Sequence, residues 1–246
     1  MGAADKLTLH RKYKVSSADA DMFKRLRPGA MINFIIQAAI DSADELGFGF
    51  ADIETRQLFW VLSRMTVEIY KTPVWYDEVS VETWPKDSEG LLYFRDLILR
   101  DTNGEIIANA TTAWLAIDFK TIRPKILQGY GEDYFKELRH KKALDYRPAR
   151  LGTVKGKQVS ERLATFFDLD LNQHVTSTRY IDWIFDTFDN DFQRENYPRL
   201  IEINYLKETK LGQGVAVFRK NEENTFLFEG IHTDTKRSSF RAKVTF

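Results

Sequence analysis

The chain has 246 residues, and its 36 basic and 36 acidic side chains leave no net charge at pH 7. That balance gives no indication of a nucleic-acid-binding protein, which usually carries a basic excess. There are no cysteines, which excludes disulfides, thiolate metal sites and a cysteine nucleophile.

The N-terminal residues, Met1 to Lys6, contain neither the apolar core of a secretion signal nor an Arg- and Ser-rich transit sequence. No apolar run approaches the roughly 20 residues that are needed to cross a bilayer. We therefore expect a soluble, cytoplasmic protein without membrane insertion.

The first half predicts a strand, one long helix and several antiparallel strands. In the predicted helix Met31–Leu46, apolar residues recur at spacings of three and four, with Pro28 placed for the first turn and Gly47 for the C-terminal cap. Strands are predicted at Leu7–Val15, Val61–Ile69, Asp77–Trp84, Leu91–Arg100 and Glu105–Phe119, with a hairpin turn at Asn103-Gly104 and an end to the sheet at Arg123-Pro124. In Val61–Ile69, alternation predicts that Val61 and Met65 share one face.

The same order of elements returns after a stretch, Gln128–Lys157, that we expect to be helical at first and then irregular. The second set comprises a strand at Gln158–Phe167, a helix at Val175–Phe188 and strands at Arg199–Lys207, Val215–Lys220, Thr225–Thr233 and Lys236–Phe246. A sheet wrapped around one long helix is the hot-dog arrangement. The sequence therefore predicts an α+β protein, a tandem double hot-dog, with domains at 1–140 and 158–246 and a linker at 141–157.

The candidate chemistry lies between the second domain's first strand and its helix. Of the four histidines, His174 stands out because Asp170 and Asn172 precede it at alternate positions, so an extended segment would project all three to one side. The alternative is that Asp170 and Asn172 only cap the following helix. Nucleophile-elbow, phosphate-loop, dinucleotide and H-E-x-x-H motifs are all missing from the sequence.

The segment Asp168-Leu169-Asp170-Leu171-Asn172-Gln173-His174-Val175, followed by Thr178 to Ile184, closely resembles the catalytic segment of plant and bacterial acyl-ACP thioesterases. In the first half, Gln57 to Met65, Pro73-Val74-Trp75 and Val81 to Trp84 resemble that family's N-terminal domain. The resemblance extends from about residue 8 to about residue 220.

The resemblance implies hydrolysis of the thioester between a fatty acyl chain and the phosphopantetheine arm of acyl carrier protein. It assigns the catalytic roles to Asp170, Asn172, His174 and Glu208, and it places Thr209 where the plant enzymes have a cysteine. We expect attack by water, with Glu208 or His174 as the general base and no metal or other cofactor. Thr72 stands at the position of Glu208 in the first half, so we expect one active site per chain.

Several further expectations follow. The first domain is predicted to hold the acyl chain, with contacts from Phe34, Ile36, Ile40 and Trp60.

Basic residues of the linker region could form a docking patch for the acidic carrier protein or simply a solvated face, and the chain could form a homodimer. The alternative functions are a hot-dog dehydratase or hydratase acting on acyl thioesters, and a non-catalytic acyl-binding protein. The basic residues that could form the carrier docking patch are Lys136, Arg139, Lys141, Lys142, Arg147, Arg150, Lys155 and Lys157.

Overall fold

A computed structural model of the chain describes residues 6–49, 57–127 and 133–246. The first half contains β1 (Leu9–Lys14), α1 (Pro28–Glu45), β2 (Leu58–Ile69), β3 (Glu78–Glu89), β4 (Leu92–Arg100), β5 (Ile106–Asp118) and β6 (Arg123–Pro124). The second contains α2 (Tyr134–Glu137), β7 (Lys157–Leu163), a 3₁₀ turn (Phe166–Asp168), α3 (Ser177–Phe185), α4 (Asn190–Glu195), β8 (Leu200–Tyr205), β9 (Gly214–Glu222), β10 (Thr225–His232) and β11 (Ser238–Thr245).

The described strands form one continuous antiparallel sheet. Its order is β1-β3-β4-β5-β2-β8-β11-β10-β9-β7, with β6 paired to β5. The five strands that end with β2 occur in the mirror order of the five that begin with β8, and each half packs against its own helix. This arrangement confirms the predicted tandem double hot-dog, while the exact domain bounds stay a prediction. Among the described helices, none is both long and apolar enough to cross a membrane.

Helix α1 begins and ends where its sequence predicts. Pro28 occupies the first helical turn, where a missing N–H costs nothing. After the helix, Gly47 adopts a left-handed φ of 71°. Its N–H donates to Asp44 O at 3.0 Å, and the N–H of Phe48 donates to Ala43 O at 3.0 Å. These two bonds satisfy carbonyls that a helix end otherwise leaves unpaired.

The alternation predicted in β2 is wrong at its start. Val61 is 38% exposed, whereas Leu62 and Met65 are buried. The register with β5 shifts between Leu62 and Arg64, so a bulge inserts one residue and exchanges the faces of the residues before it. The predicted common face of Val61 and Met65 therefore does not exist.

Two elements of the second half also differ from prediction. The strand expected to continue to Phe167 ends at Leu163, because Thr165 and Asp168 form a reciprocal capping box around the 3₁₀ turn. The predicted helix to Phe188 ends at Phe185, and α4 follows as a separate helix. Asp189 starts α4 by accepting a hydrogen bond from the N–H of Phe192 at 2.8 Å.

The segment after α2 crosses the outer face of the first half-sheet, where a buried ion pair holds it. Lys86 Nζ lies 2.9 Å from Asp96 Oδ2 and donates to Leu144 O at 2.8 Å. The Asp96 carboxylate also accepts the Ala143 N–H at 2.7 Å and the Thr111 hydroxyl at 2.6 Å. The pair therefore connects β3 and β4 to the linker. Of the stretch expected to begin helical, residues 128–132 lie outside the described residues, and α2 spans four residues.

Replacing Lys86 with Met should lower the free energy of unfolding by about 3 kcal/mol, because it leaves the Asp96 carboxylate buried without its cation. Denaturant titration would measure the loss. The control is Lys125→Met, which removes an exposed pair with Asp118 and should cost less than about 1 kcal/mol. Equal losses in the two variants would contradict the account of this pair.

Candidate active site

The loop that contains Asp170 is a tight turn and not the extended segment that alternation predicted. Asp170 Oδ1 accepts the N–H of Asn172 at 2.8 Å and that of His174 at 3.2 Å. The N–H of Asp170 in turn donates to His174 O at 2.8 Å. Gln173 closes the turn with a left-handed φ of 63°. Asp170 thus accepts hydrogen bonds from the backbone of its own loop, as aspartate commonly does in turns. These bonds fix the position of the His174 backbone.

Asp168 anchors the same loop from inside. Its carboxylate accepts the N–H and hydroxyl of Thr165, each at 2.7 Å, and Arg179 Nε at 2.8 Å. Burial raises the pKa of Asp168, but these hydrogen bonds and the Arg179 charge outweigh it and lower the pKa. The residue that precedes α3 is Thr176. The alternative in which Asp170 and Asn172 cap this helix is therefore wrong.

Glu208 lies on the loop that follows β8. This loop pairs directly with the loop that contains His174. His174 and Lys210 form a backbone bridge, and the N–H of Val175 donates to Thr209 O at 2.8 Å. The His174 ring is half-buried, whereas Asn172 is exposed. The structure therefore brings the loops of Glu208 and His174 together, with Asp170 shaping one of them.

Electrostatics favour the ionised form of Glu208. Burial raises its pKa, but a 2.6 Å hydrogen bond from Lys207 opposes that effect. The backbone N–H of Glu208 and the nearby charges of Lys207 and His174 act in the same direction as the hydrogen bond, and the pKa is lowered overall. At neutral pH the carboxylate is therefore ionised and able to accept a proton.

The first domain contains a copy of the His174 loop. Asp21 Oδ1 accepts the N–H of Phe23 at 2.8 Å and that of Arg25 at 2.9 Å. Lys24, like Gln173, has a left-handed φ, here 66°. Arg25 forms a backbone bridge with Val74. The backbone is thus duplicated, and the bridge confirms the predicted register that sets Thr72 at the position of Glu208.

Side chains distinguish the two copies. Arg25 takes the position of His174, and Phe23 that of Asn172. Arg25 Nε donates to Asp21 at 2.9 Å, and its other nitrogens donate to Asn196 O at 3.0 Å and Gln193 O at 2.6 Å. The guanidinium thereby connects the first-domain loop to the C-terminal end of α4. The first-domain loop therefore makes an interdomain contact, and it has no counterpart of His174 or Glu208.

A buried polar cluster beneath Glu208 was not predicted. Thr209, His232 and Ser239 are almost fully buried, with Thr209 Oγ1 2.8 Å from His232 Nε2 and 2.9 Å from Ser239 Oγ. The alternation of β10 could have predicted the burial of His232, because this residue has the same parity as the core residues Phe226 and Phe228.

The four predicted acyl contacts do not share one surface. Phe34 is buried in the main core and stacks on Tyr13 at 4.6 Å, while Trp60 packs in a separate aromatic cluster with Phe48 and Tyr93. Ile36 is half-buried, and Ile40 is exposed. With 3.6 residues per turn, helix positions two apart lie on nearly opposite faces, so Phe34 and Ile36 cannot line the same side of α1.

Intramolecular ion pairs occupy many of the basic residues near the linker. Arg139 pairs with Asp87 at 2.9 Å, Lys141 pairs with Glu82 at 2.5 Å, and Arg147 pairs with both Asp87 and Glu89. Much of the positive charge that the sequence predicts at this surface is therefore neutralised by carboxylates of β3.

Two family models match the chain. One, described as the acyl-ACP thioesterase N-terminal domain, matches residues 6–134, and the other, described as the C-terminal domain, matches residues 153–245. The oleoyl-acyl carrier protein thioesterase 1 of Arabidopsis thaliana is 28% identical over 221 residues, which cover 83% of this chain and 61% of that protein. The dodecanoyl-[acyl-carrier-protein] hydrolase of Cinnamomum camphora is 26% identical, covering 82% and 56%. The chain thus spans about three fifths of the length of these chloroplastic relatives.

Solved structures share the whole fold. An acyl-ACP thioesterase from Bacteroides thetaiotaomicron superposes with a TM-score of 0.91 at 28% identity, covering 100% of both chains. The 12:0-ACP thioesterase from Umbellularia californica gives a TM-score of 0.83 at 21% identity, covering 97% of this chain and 96% of that one. The second likeness supports the fold alone.

The buried His232 predicts a loss of stability in mild acid. Burial lowers its pKa below the ordinary 6.5, although the charges of Asp234 and Glu208 oppose the effect. Below pH 6.5 the unfolded chain therefore binds a proton that the folded chain resists, and stability falls by up to about 1.4 kcal/mol per pH unit. Melting temperatures at pH 7.5 and 5.5 should differ more for the parent than for His232→Gln. An equal difference in both would show that His232 does not cause it.

Proposed function

Because the chain belongs to the acyl-ACP thioesterase family, we propose that it hydrolyses the thioester between a fatty acyl chain and acyl carrier protein. The products are a free fatty acid and the carrier with a free thiol, so the reaction ends elongation of the chain. The observation that carries the proposal is the backbone pairing of the Glu208 loop with the His174 loop, and the lowered pKa of Glu208 agrees with its use as a base.

We propose that water attacks directly. Glu208 accepts a proton from water while the water oxygen bonds to the thioester carbonyl carbon, and the carbonyl oxygen takes up negative charge. Cleavage of the C–S bond releases the thiolate of the phosphopantetheine arm, which takes a proton from Glu208 or His174. A positioned base typically contributes about 10²–10⁴-fold to such a step.

Asp170 and Asn172 support this chemistry in different ways. Asp170 has no part in proton transfer in this proposal, because its carboxylate bonds the backbone of the turn that presents His174. Asn172 has an exposed side chain that can orient the water or the thioester carbonyl. The N-terminus of α3 follows this loop directly, and its first-turn N–H groups favour the developing oxyanion.

The first domain is proposed to hold the acyl chain. Its copy of the loop is closed by Arg25, and it retains a helix packed on an apolar sheet face. Inside it, the buried Arg95 lies between Tyr93 and Leu97 on the same face of β4, so it separates the aromatic cluster around Trp60 from the main core. Phe34 and Trp60 therefore represent two separate candidate regions for acyl contact, and Ile36 and Ile40 stay weaker candidates on the other sides of α1.

Carrier docking is proposed at the mouth of the site and not at the linker. Large apolar residues on the loops around His174 are exposed to an unusual degree, with Phe167 90% exposed and Leu171 89%. Such a concentration marks an interaction surface, and it lies beside the paired loops of His174 and Glu208, where the arm of a docked carrier could enter the site. We call this surface the apolar rim; its members are Leu163, Phe166, Phe167, Leu171 and Leu211.

Replacing Glu208 with Gln should lower kcat at least about a hundredfold, because the amide cannot accept the proton from water. His174→Ala should have an effect of similar size. Thiol release from acyl-ACP would measure both. The matched control is Glu222→Gln, which also removes a carboxylate from a surface pair with lysine, at 2.5 Å from Lys220. A Glu208→Gln enzyme with parental turnover would exclude this residue as the base.

Replacing Leu171 with Ser should raise KM for acyl-ACP about tenfold, because burying a leucine side chain contributes about 1.5–3 kcal/mol. The effect on an acyl thioester of coenzyme A should be much smaller, since that substrate has the same arm without the carrier.

Met22 provides the control for this experiment. It holds the same position in the first-domain copy of the loop and is 73% exposed, so Met22→Ser makes a similar change in the copy that lacks Glu208 and His174. If Met22→Ser raises KM for acyl-ACP as much as Leu171→Ser does, the carrier does not dock at the apolar rim. A change in oligomeric state with Leu171→Ser alone would assign the rim to a homodimer contact instead.

A further inference from the structure

Thr209, His232 and Ser239 form a chain of short contacts that ends on the backbone next to Glu208. In addition to the two contacts of Thr209, Ser239 Oγ donates to Lys207 O at 3.0 Å. All three side chains are almost completely buried, so the substrate cannot reach them. Their contribution to the site must be made through the backbone of residues 207–209.

Ser239 Oγ also lies 3.4 Å from Tyr180 Oη, but the shorter contact with Lys207 O, at 3.0 Å, takes its proton. Counting protons then gives the direction of this chain. Each hydroxyl has one proton, and Ser239 uses its own for Lys207 O. Thr209 must then donate to Ser239, since two lone pairs would otherwise face each other across 2.9 Å. His232 is left as the donor to Thr209 through Nε2–H. The relay therefore runs from His232 to Thr209 to Ser239 and ends on the carbonyl of Lys207.

This relay holds the backbone on both sides of Glu208. Ser239 donates to the carbonyl of Lys207, the residue before Glu208. His232 hydrogen-bonds the side chain of Thr209, the residue after Glu208. Thr209 is also the connection to the other loop, because its carbonyl accepts the N–H of Val175 at 2.8 Å, the residue that follows His174. The position of Thr209 thus determines the spacing between the two loops of the site.

The first domain has the same backbone without the relay. The N–H groups of Leu206 and Lys207 donate to Ser239 O at 2.8 and 3.1 Å, as those of Tyr70 and Lys71 donate to Ile107 O at 2.8 and 3.2 Å. Ile107 thus occupies the place of Ser239. Leu26 N–H donates to Pro73 O at 2.8 Å, so Pro73 occupies that of Thr209. Neither side chain can hydrogen-bond, which shows that the fold does not need the relay.

We propose that Thr209 is a positioning residue for hydrolysis, held by His232 and Ser239 so that Glu208 keeps its place relative to His174. The inference rests on the proposed function, because it concerns the same base. It gives the buried hydroxyl a role that requires neither nucleophilic attack nor contact with the substrate.

Thr209→Val tests the proposal, since it preserves the shape of the side chain and removes the hydroxyl. We expect kcat for acyl-ACP to fall about tenfold to a hundredfold, the effect of displacing a reacting group by a fraction of an ångström to 1 Å, while KM stays within about twofold. Thr209→Ser restores the hydroxyl and should recover most of the parental kcat.

The control is Thr225→Val at the other end of the β10–β11 hairpin. Thr225 Oγ1 lies 2.9 Å from Thr245 Oγ1, so this change also breaks a contact between two hydroxyls, one of them on β11, the strand that contains Ser239. Melting temperatures of both variants would measure the structural cost. Thr225→Val should keep the parental kcat even where its melting temperature falls as far as that of Thr209→Val.

Parental kcat in Thr209→Val, or an equal loss in Thr225→Val, would overturn the positioning role. So would a Thr209→Ser enzyme that remains as slow as Thr209→Val. Glu208→Gln separates this failure from that of the proposed function. If Glu208→Gln is slow and Thr209→Val is not, the base is correct and only the positioning role is lost. If Glu208→Gln has parental turnover, the proposed mechanism itself fails.

Discussion

Main-chain hydrogen bonds between β2 and β8 join the two half-sheets, with Met65 opposite Ile203 and Val67 opposite Ile201. Without this pairing, each half would expose a long, apolar strand edge, which is a hazard for aggregation. The pairing also sets the two halves in mirror order, so that the first-domain loop meets the second domain's α4 through Arg25. The interdomain contacts and the single candidate site both follow from this geometry.

Duplication has preserved the backbone of the two loops and changed only what they present. In each copy an aspartate binds two N–H groups of its own turn, and a residue of left-handed conformation closes that turn. With Arg25 at the position of His174, the first copy makes an interdomain contact. The relay beneath Glu208 belongs to the copy that contains the proposed base.

Much of this arrangement could be predicted from the sequence, because long elements have strong periodic patterns. The helix α1, the hairpin at Asn103-Gly104 and the repeated order of strands were all predicted correctly. The bulge near Ser63 was not, although the adjacent polar residues Ser63 and Arg64 interrupt the alternation there. Helix α4 was not predicted at all: it lies beyond the predicted helix Val175–Phe188, and its start depends on the capping of Asp189.

For the candidate site, too, some features could be predicted from the sequence and others could not. The family resemblance proposed Asp170, Asn172, His174 and Glu208 as site residues, but the shape of the loop from Asp170 to His174 depends on side-chain hydrogen bonds that the spacing does not reveal. The predicted acyl contacts on α1 fell on different faces of the helix, and Trp60 lies on β2, because the four were chosen by residue type and not by position in the element. The relay unites residues up to 32 positions apart, and only the fold brings such residues together.

The central claim is that this chain cleaves an acyl-ACP thioester by adding water. The most direct measurement incubates the purified protein with acyl-ACP and follows the free thiol of the carrier and the free fatty acid together. The account predicts that both appear in equal amounts and at the same rate. Binding of acyl-ACP without thiol release, or reversible addition of water to an enoyl thioester that remains intact, would contradict it.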